Sequence, residues 1–502
     1  MSDVVQKLWG FCHTLRHDGI DYGDYIEQIT YLLFLKMADE RGIDLSRTRV
    51  TAQPGEDYVI NCSWPCLALR SGPGLTEHYA GVLRSLGEQP GLLGDIFSGA
   101  ASRFNNPQNL RKLIDLIDET EWIKLDVDVK AAAFEGLLEK AASEGKKGAG
   151  QYFTPRLLIQ SIVRCVRPDP RAGAEFTVCD PACGTGGFLV AAYEWFMAEA
   201  GSAASGASPE LIRRVRRGTY FGSELVPRPR RLALMNLCLH GLEPEIRLGD
   251  SIYEPPGDRT FDVIFTNPPF GTRGANQIPG REDLAITTSN KQLNFLQHVL
   301  TTLKPGGRAA VVVPDNCLFA DQAGEVFRIL TRDCDLHTVL RLPNGTFTPY
   351  SPGTKTNVVF FTKGSPTETV WVYDARTNVQ RVTKKDRPLS ATHLVAFEAC
   401  FGTDPFGRSR RDPRDSWEGR WRPFSIAEVT ARQFKIDSLK WLRDESLDDD
   451  ELPEPLELAD EALSELRDAI LELNDVRKLL EPEKDESESE SQKEATVLRG
   501  VR

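Results

Sequence analysis

No apolar run in the 502-residue chain approaches the ~18 residues that a membrane span needs. The opening MSDVVQKLWG lacks the basic stretch and apolar core of a secretion signal. A cytosolic protein is the expectation. Cysteine is sparse and scattered: of ten, only Cys62 and Cys66, and Cys179 and Cys183, lie close together. The repeated pairs and the His-x3-His spacing of zinc sites are missing, so the thiols read as reduced and mostly buried, with no metal. The glycine-rich stretch at 184–187 is not followed by Gly-Lys-Ser/Thr, which excludes a P-loop. A net charge of −12 argues against nucleic acid, but the charge is unevenly placed. Residues 444–494 hold 21 acids against 5 bases, a net of −16, so the rest of the chain carries +4. A body that meets DNA is therefore permitted.

What is present divides the chain. Residues 1–148 read as helical. In DYIEQITYLLFLKMADERG the apolar positions Ile26, Ile29, Leu32, Leu33 and Met37 recur at three or four residues, and NLRKLIDLIDE and VKAAAFEGLLEKAASEG repeat the pattern. The intervening TAQPGEDYVINCSWPC and SGPG read as loop, and GKKGAG (145–150) as a flexible joint. From 149 to about 440 short strand candidates alternate with helices: EFTVCD, TYFGSEL, EIRLGD, FDVIFTN, GRAAVVVP, HTVLRLP, TNVVFFT and TVWVYDA. Such alternation implies parallel βαβ units in a doubly wound sheet, which binds ligands at the carboxyl ends of its strands. Beyond 375 the chain is polar and Arg-rich (GRSRRDPRDSWEGRWRP). A helix is expected within 441–482, where Ala459, Leu463, Leu466, Ile470, Leu473 and Leu480 form an apolar seam. Residues 483–502 are expected to be disordered.

The strand ends carry the chemistry. The first ends in DPACGTGGF, where Gly184, Gly186 and Gly187 permit a tight turn and close backbone approach to a ligand. The nicotinamide fingerprint fits poorly, because the next strand-end acid, Glu224, lies 40 residues past Gly184 rather than about 20. Glu224 is still placed to accept bonds from ribose hydroxyls, and Asp250, ending the third strand, to hold an adenine amino group. Each acid alone reads first as a cap or loop residue; Asp180, Glu224 and Asp250 at three successive strand ends together favour the ligand-binding reading. The fourth strand stops at TNPPFG, where two prolines end a ladder they cannot donate to. An exocyclic amine is a poor nucleophile, since its lone pair is delocalised into the ring. Two acceptors aimed at its hydrogens localise that pair. Asn267 can supply a side-chain oxygen and Pro268 a carbonyl held by the constrained backbone of Pro268 and Pro269, while Phe270 offers a stacking face.

DPACGTGGF, FGSEL, RLGDS and TNPPFG in this order, preceded by GQYFTPR (150–156), resemble an S-adenosylmethionine-dependent amino methyltransferase acting on adenine N6. With LWGFCHTLR, YLLFLKMADERG, MNLCLHG, KPGGRAAVVVP, KTNVVFF and the acidic carboxy-terminal helix, the chain resembles the methylase subunit of type I restriction–modification systems. The resemblance implies an α/β fold with a Rossmann-like methyltransferase sheet, an N-terminal helical domain and a C-terminal helical tail. It implies S-adenosyl-L-methionine as cofactor, held by Gln151, Tyr152, Phe153, Thr154, Pro155 and Arg156 together with Asp180, Gly184, Thr185, Gly186, Gly187, Glu224 and Asp250. It places Asn267, Pro268, Pro269 and Phe270 as the catalytic turn. Cys183 lies in the cofactor loop rather than in a Pro-Cys loop, so it reads as packing and not as the attacking thiol of cytosine C5 methylation.

GQYFTPR ahead of DPACGTGGF resembles the γ order of DNA amino methyltransferases, which leads one to expect a target-recognition region after the catalytic one. Residues 375–440 are too few for it. Specificity is thus expected from a specificity subunit, two methylase chains to one, paired through the 457–480 helix, with a restriction subunit joining for cleavage. No helicase or nuclease motif appears, so the chain should modify double-stranded DNA rather than cut it. A target adenine must flip out of its duplex, at a cost of a few kcal/mol. The loop GTRGANQIPGREDLAITTSNKQ (271–292) is expected to close over it. Rival readings are methylation of a protein glutamine or an RNA base, and a non-catalytic assembly module.

Overall fold

The computed structural model describes residues 10, 20, 22–51, 57–122, 154–202, 207–270, 278–319, 322–348, 351, 353–383, 386–416, 418–443 and 463. The helices expected at 129–145 and 457–480, the 145–150 joint, Gln151, Tyr152, Phe153 and the tail at 483–502 lie outside them.

Near the amino terminus a helix forms as expected at Tyr22–Glu40, a further one at Pro73–Gly87 takes in part of the SGPG read as loop, and the expected periodicity at 109–119 forms the helix Pro107–Asp118. The last opens with proline in its first turn, and the Asn106 side chain caps it by accepting from the Gln108 amide. The stretch read as loop holds structure of its own. Strands β1 (Thr48–Thr51) and β2 (Asp57–Ile60) pair antiparallel, and Trp64–Ala68 is a short helix.

Nine further strands form one sheet: β3 (Val178–Asp180), β4 (Tyr220–Glu224), β5 (Glu245–Leu248), β6 (Phe261–Thr266), β7 (Leu303–Pro314), β8 (Cys334–Arg341), β9 (Thr356–Lys363), β10 (Thr369–Asp374) and β11 (Trp421–Ser425). Their spatial order is β11-β10-β8-β9-β7-β6-β3-β4-β5. Central strands are apolar on both faces, and alternate residues enter opposite cores. Val263, Phe265, Ala310, Val312, Val358 and Phe360 join one cluster with the helices at 156–166, 187–202, 227–239 and 392–401. Ile264, Ala309, Val311, Val313, Val359 and Phe361 join the other, with the helices at 291–302 and 323–333.

The sheet is mixed rather than wholly parallel. β9 runs antiparallel between β7 and β8, and β11 is antiparallel to β10. Among the described residues no crossover helix separates β8 from β9, and a link without one joins antiparallel neighbours. The Arg-rich segment after β10 completes this half. Arg411 donates to the carbonyls of His337 (3.0 Å) and Phe401 (3.3 Å), and Arg420 to those of Asp374 (3.0 Å) and Thr377 (2.7 Å).

From β3 the chain steps outward to β4 and β5, then returns to lay β6 on the other side of β3. The strand order therefore reverses between β3 and β6, and both point their carboxyl ends the same way. A reversal of this kind leaves a crevice beyond the strand ends, where doubly wound sheets bind ligands. The segments after β3 and β6 are DPACGTGGF and TNPPFG.

Candidate functional site

The loop after β3 turns through Gly184 and Gly186, whose φ values of +53° and +82° suit glycine. A Cβ on Gly184 would project into open space, so the loop is lined by backbone there. Glu224, at the end of β4, grips this loop: its Oε2 accepts from the Gly184 amide at 3.0 Å and its Oε1 from the Val226 amide at 2.9 Å. Burial raises its carboxyl above the usual range, and the surrounding amides oppose the rise. Asp180, 2% exposed, accepts from the Ala182 amide at 3.0 Å. Burial pushes its carboxyl up to about 7, with the Glu224 charge adding to the effect. Asp250 caps the turn after β5, accepting from the amides of Ile252 (2.9 Å) and Tyr253 (3.2 Å). The exposed side chains of Leu225, Leu248 and Tyr253 lie beside these acids in the chain. Backbone, carboxylates and apolar rim together suit a ligand with hydroxyls, a cationic part and a flat apolar ring.

At the end of β6, Asn267 donates through Nδ2 to Thr154 Oγ1 at 2.8 Å. Its Oδ1 is buried and, among the described residues, meets no hydrogen-bond donor. Pro268 is buried, and the Pro269 carbonyl accepts from Gln292 Nε2 at 2.6 Å. Phe270 packs edge-on against Phe347, with ring centroids 5.9 Å apart. Phe188 of the helix after the glycine loop stacks on Phe265 of β6 at 5.5 Å, joining the two segments from beneath.

Thr154, Asp180, Gly184, Thr185, Gly186, Gly187, Glu224, Asp250 and Asn267 to Phe270 thus belong to segments gathered at one edge of the sheet. Pro155 opens the helix Arg156–Val166. Arg156 turns toward that helix's neighbour, pairing with Glu194 at 3.0 Å. Of the long loop after the turn, residues 278–290 are held rather than loose. Arg281 donates to the Ser251 carbonyl at 2.6 Å, and Gln297 bonds both backbone groups of Ile286. Ser251 in turn donates to the Pro181 carbonyl at 2.7 Å. Gln292, Asn236 (which donates to the Thr185 carbonyl at 3.1 Å), Arg281 and Ser251 escape a reading of strand ends. Their one signal is polarity on otherwise apolar or unremarkable stretches.

Residues 125–450 match a family model described as N-6 DNA Methylase, and residues 4–117 one described as HsdM N-terminal domain. The chain is 38% identical to the type I restriction enzyme EcoKI methylase subunit of Escherichia coli K12, over 94% of each. It is equally similar to the StySPI methylase subunit of Salmonella potsdam, again 38% over 94% of each. Among solved structures, the EcoKI M protein is matched with 34% identity, 96% coverage of each chain and a TM-score of 0.53. A chain from a study of complex assembly in the type I R-M system is matched with 27% identity, over 96% of this chain and 99% of that one, and a TM-score of 0.71.

Proposed function

The chain belongs to the N-6 DNA methylase family, as a type I methylase subunit and DNA methyltransferase, and from that premise we propose how its own residues serve adenine N6 methylation. The observation that carries the reading is the buried Oδ1 of Asn267, an acceptor that meets no donor among the described residues, at the carboxyl end of β6. A buried acceptor left unpaired is costly, and a substrate N–H satisfies it.

S-adenosyl-L-methionine supplies an electrophilic methyl on its sulfonium, so the protein needs no covalent nucleophile. Its hydroxyls and cationic groups suit the Gly184–Gly187 loop, Asp180, Glu224 and Asp250, with Thr154 and its neighbours on the other side. A flipped adenine lies against Phe270, and its amino hydrogens are accepted by Asn267 Oδ1 and the Pro268 carbonyl. Those acceptors draw the nitrogen lone pair out of conjugation and aim it across the crevice. Gln292 steadies the turn through the Pro269 carbonyl. Adenine is favoured over a protein amide or RNA base by the company this turn keeps, since nearly the whole length of the chain aligns with type I methylase subunits. Recognition of a specific site comes from a partner specificity subunit, two methylase chains to each, and a restriction subunit joins for cleavage. The cytoplasm is the expected place of action.

The test is transfer of label from S-adenosylmethionine by the full chain, with and without a specificity subunit, to duplex DNA. Asn267→Ala is expected to lower methylation by about 100-fold or more while cofactor affinity stays near that of the parent. Label found only in protein or RNA, or undiminished transfer by Asn267→Ala, refutes the reading.

A further inference from the structure

β6, β7, β8 and β10 run one way and β9 the other, so the segments after β7, before β9 and after β10 lie at the sheet edge where TNPPFG follows β6. After β7 the Asp315 amide donates to the Lys355 carbonyl at 2.8 Å, and the Asp315 carbonyl accepts from the Leu318 amide at 2.8 Å, opening a short helix, Asn316–Phe319. Cys317 and Leu318 are buried there, but Phe319 is 52% exposed. No other phenylalanine among the described residues is exposed. Beyond it, Gln322 Oε1 accepts from Thr288 Oγ1 at 3.1 Å, in the loop that leads to Gln292 and the Pro269 carbonyl. The segment is thus tied to the catalytic edge on either side of Phe319.

Two cations share this edge. Lys355 and Arg387 are exposed, and among the described residues neither has an acid partner. The acids Asp315 and Asp374 at the same edge are paired with Arg376 and Arg341. Arg387 closes a turn in which the Thr383 amide donates to its carbonyl at 2.9 Å and its amide to Thr383 Oγ1 at 3.0 Å. That turn is fastened to the loop of Phe347, the ring on which Phe270 packs: the Val382 amide donates to the Asn344 carbonyl at 2.8 Å. A Cβ on Gly345 would lie 2.2 Å from the Val382 carbonyl oxygen, so the approach is as close as glycine permits. In sequence, 376–387 holds five bases against one acid.

A base that leaves its duplex opens a gap in the stack, which an apolar ring can fill, while the phosphates on either side need cations. On the premise that Asn267 accepts from a flipped adenine, we propose that Phe319, Lys355 and Arg387 form the rim on which the duplex rests. The Phe319 ring meets the stack that the adenine leaves, and the two cations meet backbone phosphates. The rim holds the target strand and favours extrusion; the transfer itself belongs to the turn.

The test uses the full chain in complex with its specificity subunit and a duplex carrying a site that the complex methylates. Phe319→Ala is expected to lower the single-turnover rate of methyl transfer about tenfold, the worth of one stacking contact. On a duplex mismatched opposite the target adenine, where extrusion is easier, the loss should shrink to about twofold. Lys355→Ala and Arg387→Ala should each make the fall of log affinity with log salt shallower by about 0.9, with affinity for S-adenosylmethionine unchanged. Parental rate in Phe319→Ala, a loss as large on the mismatched duplex as on the matched one, or parental salt slopes in both cation variants overturns the proposal. Asn267→Ala, measured alongside, should lose transfer while keeping the parental salt slope. If it still transfers methyl, the role of the turn has failed; if it does not, and the rim variants behave as the parent, only the rim has.

Discussion

Three carboxylates at successive strand ends were visible in the sequence, but the duties they share between them were not. Glu224 braces Gly184 and Val226, and Asp250 caps its own turn, so both shape the crevice as well as facing it. Asp180 is the one whose charge is unsettled near neutrality. Its folded-state value of about 7 lies above the 3.8 of an exposed carboxyl, so the folded protein keeps a proton that the unfolded chain has released. The stability this provides is fully present below about pH 4 and is lost as the pH rises through 7. A cationic ligand favours the ionised carboxylate, so the affinity for S-adenosylmethionine should strengthen as pH rises from 5.5 to 8, by up to about tenfold per unit below the titration point. Binding titrations across that range check it. Asp180→Asn should bind weakly with little pH dependence, and a parallel slope in that variant rejects Asp180 as the titrating group.

Elements were more legible than their arrangement. β6, β7 and β9 announce themselves because burial on both faces demands uninterrupted apolar residues, and the glycine loop and TNPPFG stand out because their backbones forbid ordinary strand or helix. The reversal of strand order between β3 and β6, and the antiparallel insertion of β9, are pairings between segments far apart in sequence, which local pattern does not encode. The helix Pro227–Leu239 shows the same limit. Its apolar stripe predicts burial, yet its arginines prove to be the fastening to the amino-terminal helices. Arg231 pairs with Glu27 and donates to the Ser98 carbonyl at 2.6 Å, Arg228 pairs with Asp24 at 3.3 Å and Arg230 with Asp95 at 3.0 Å. One turn further along, Asn236 of the same helix holds the glycine loop. Arg231→Ala leaves Glu27, 8% exposed, without its closest cation. A loss of about 3–5 kcal/mol is expected, seen as a lower unfolding midpoint in denaturant. A change below about 0.5 kcal/mol would show that the pair is screened like an ordinary surface bridge.

At the scale of the whole molecule, the chain divides into a unit spanning Met1–Arg443 and a second spanning Asp444–Arg502. The first absorbs the Arg-rich segment that sequence alone left without a role. β11 extends the sheet, Arg411 and Arg420 are spent on backbone carbonyls, and Glu398 of the 392–401 helix pairs with Arg164 at 2.7 Å. The segment from β10 to Arg443 is therefore part of the catalytic body. The second unit has the opposite character in sequence, with a net charge of −16 over 444–494 and an apolar seam from Ala459 to Leu480. Acids at that density repel a phosphate backbone, whereas a seam of leucines flanked by charge suits pairing with helices of another protein. Ending the chain after Arg443 should leave the unfolding midpoint of the body and its affinity for S-adenosylmethionine unchanged. It should abolish co-purification with the specificity subunit and, with it, methylation of specific sites. If the shortened chain still co-purifies at full yield, the docking surface lies on the body instead, and the acidic unit serves some purpose other than assembly.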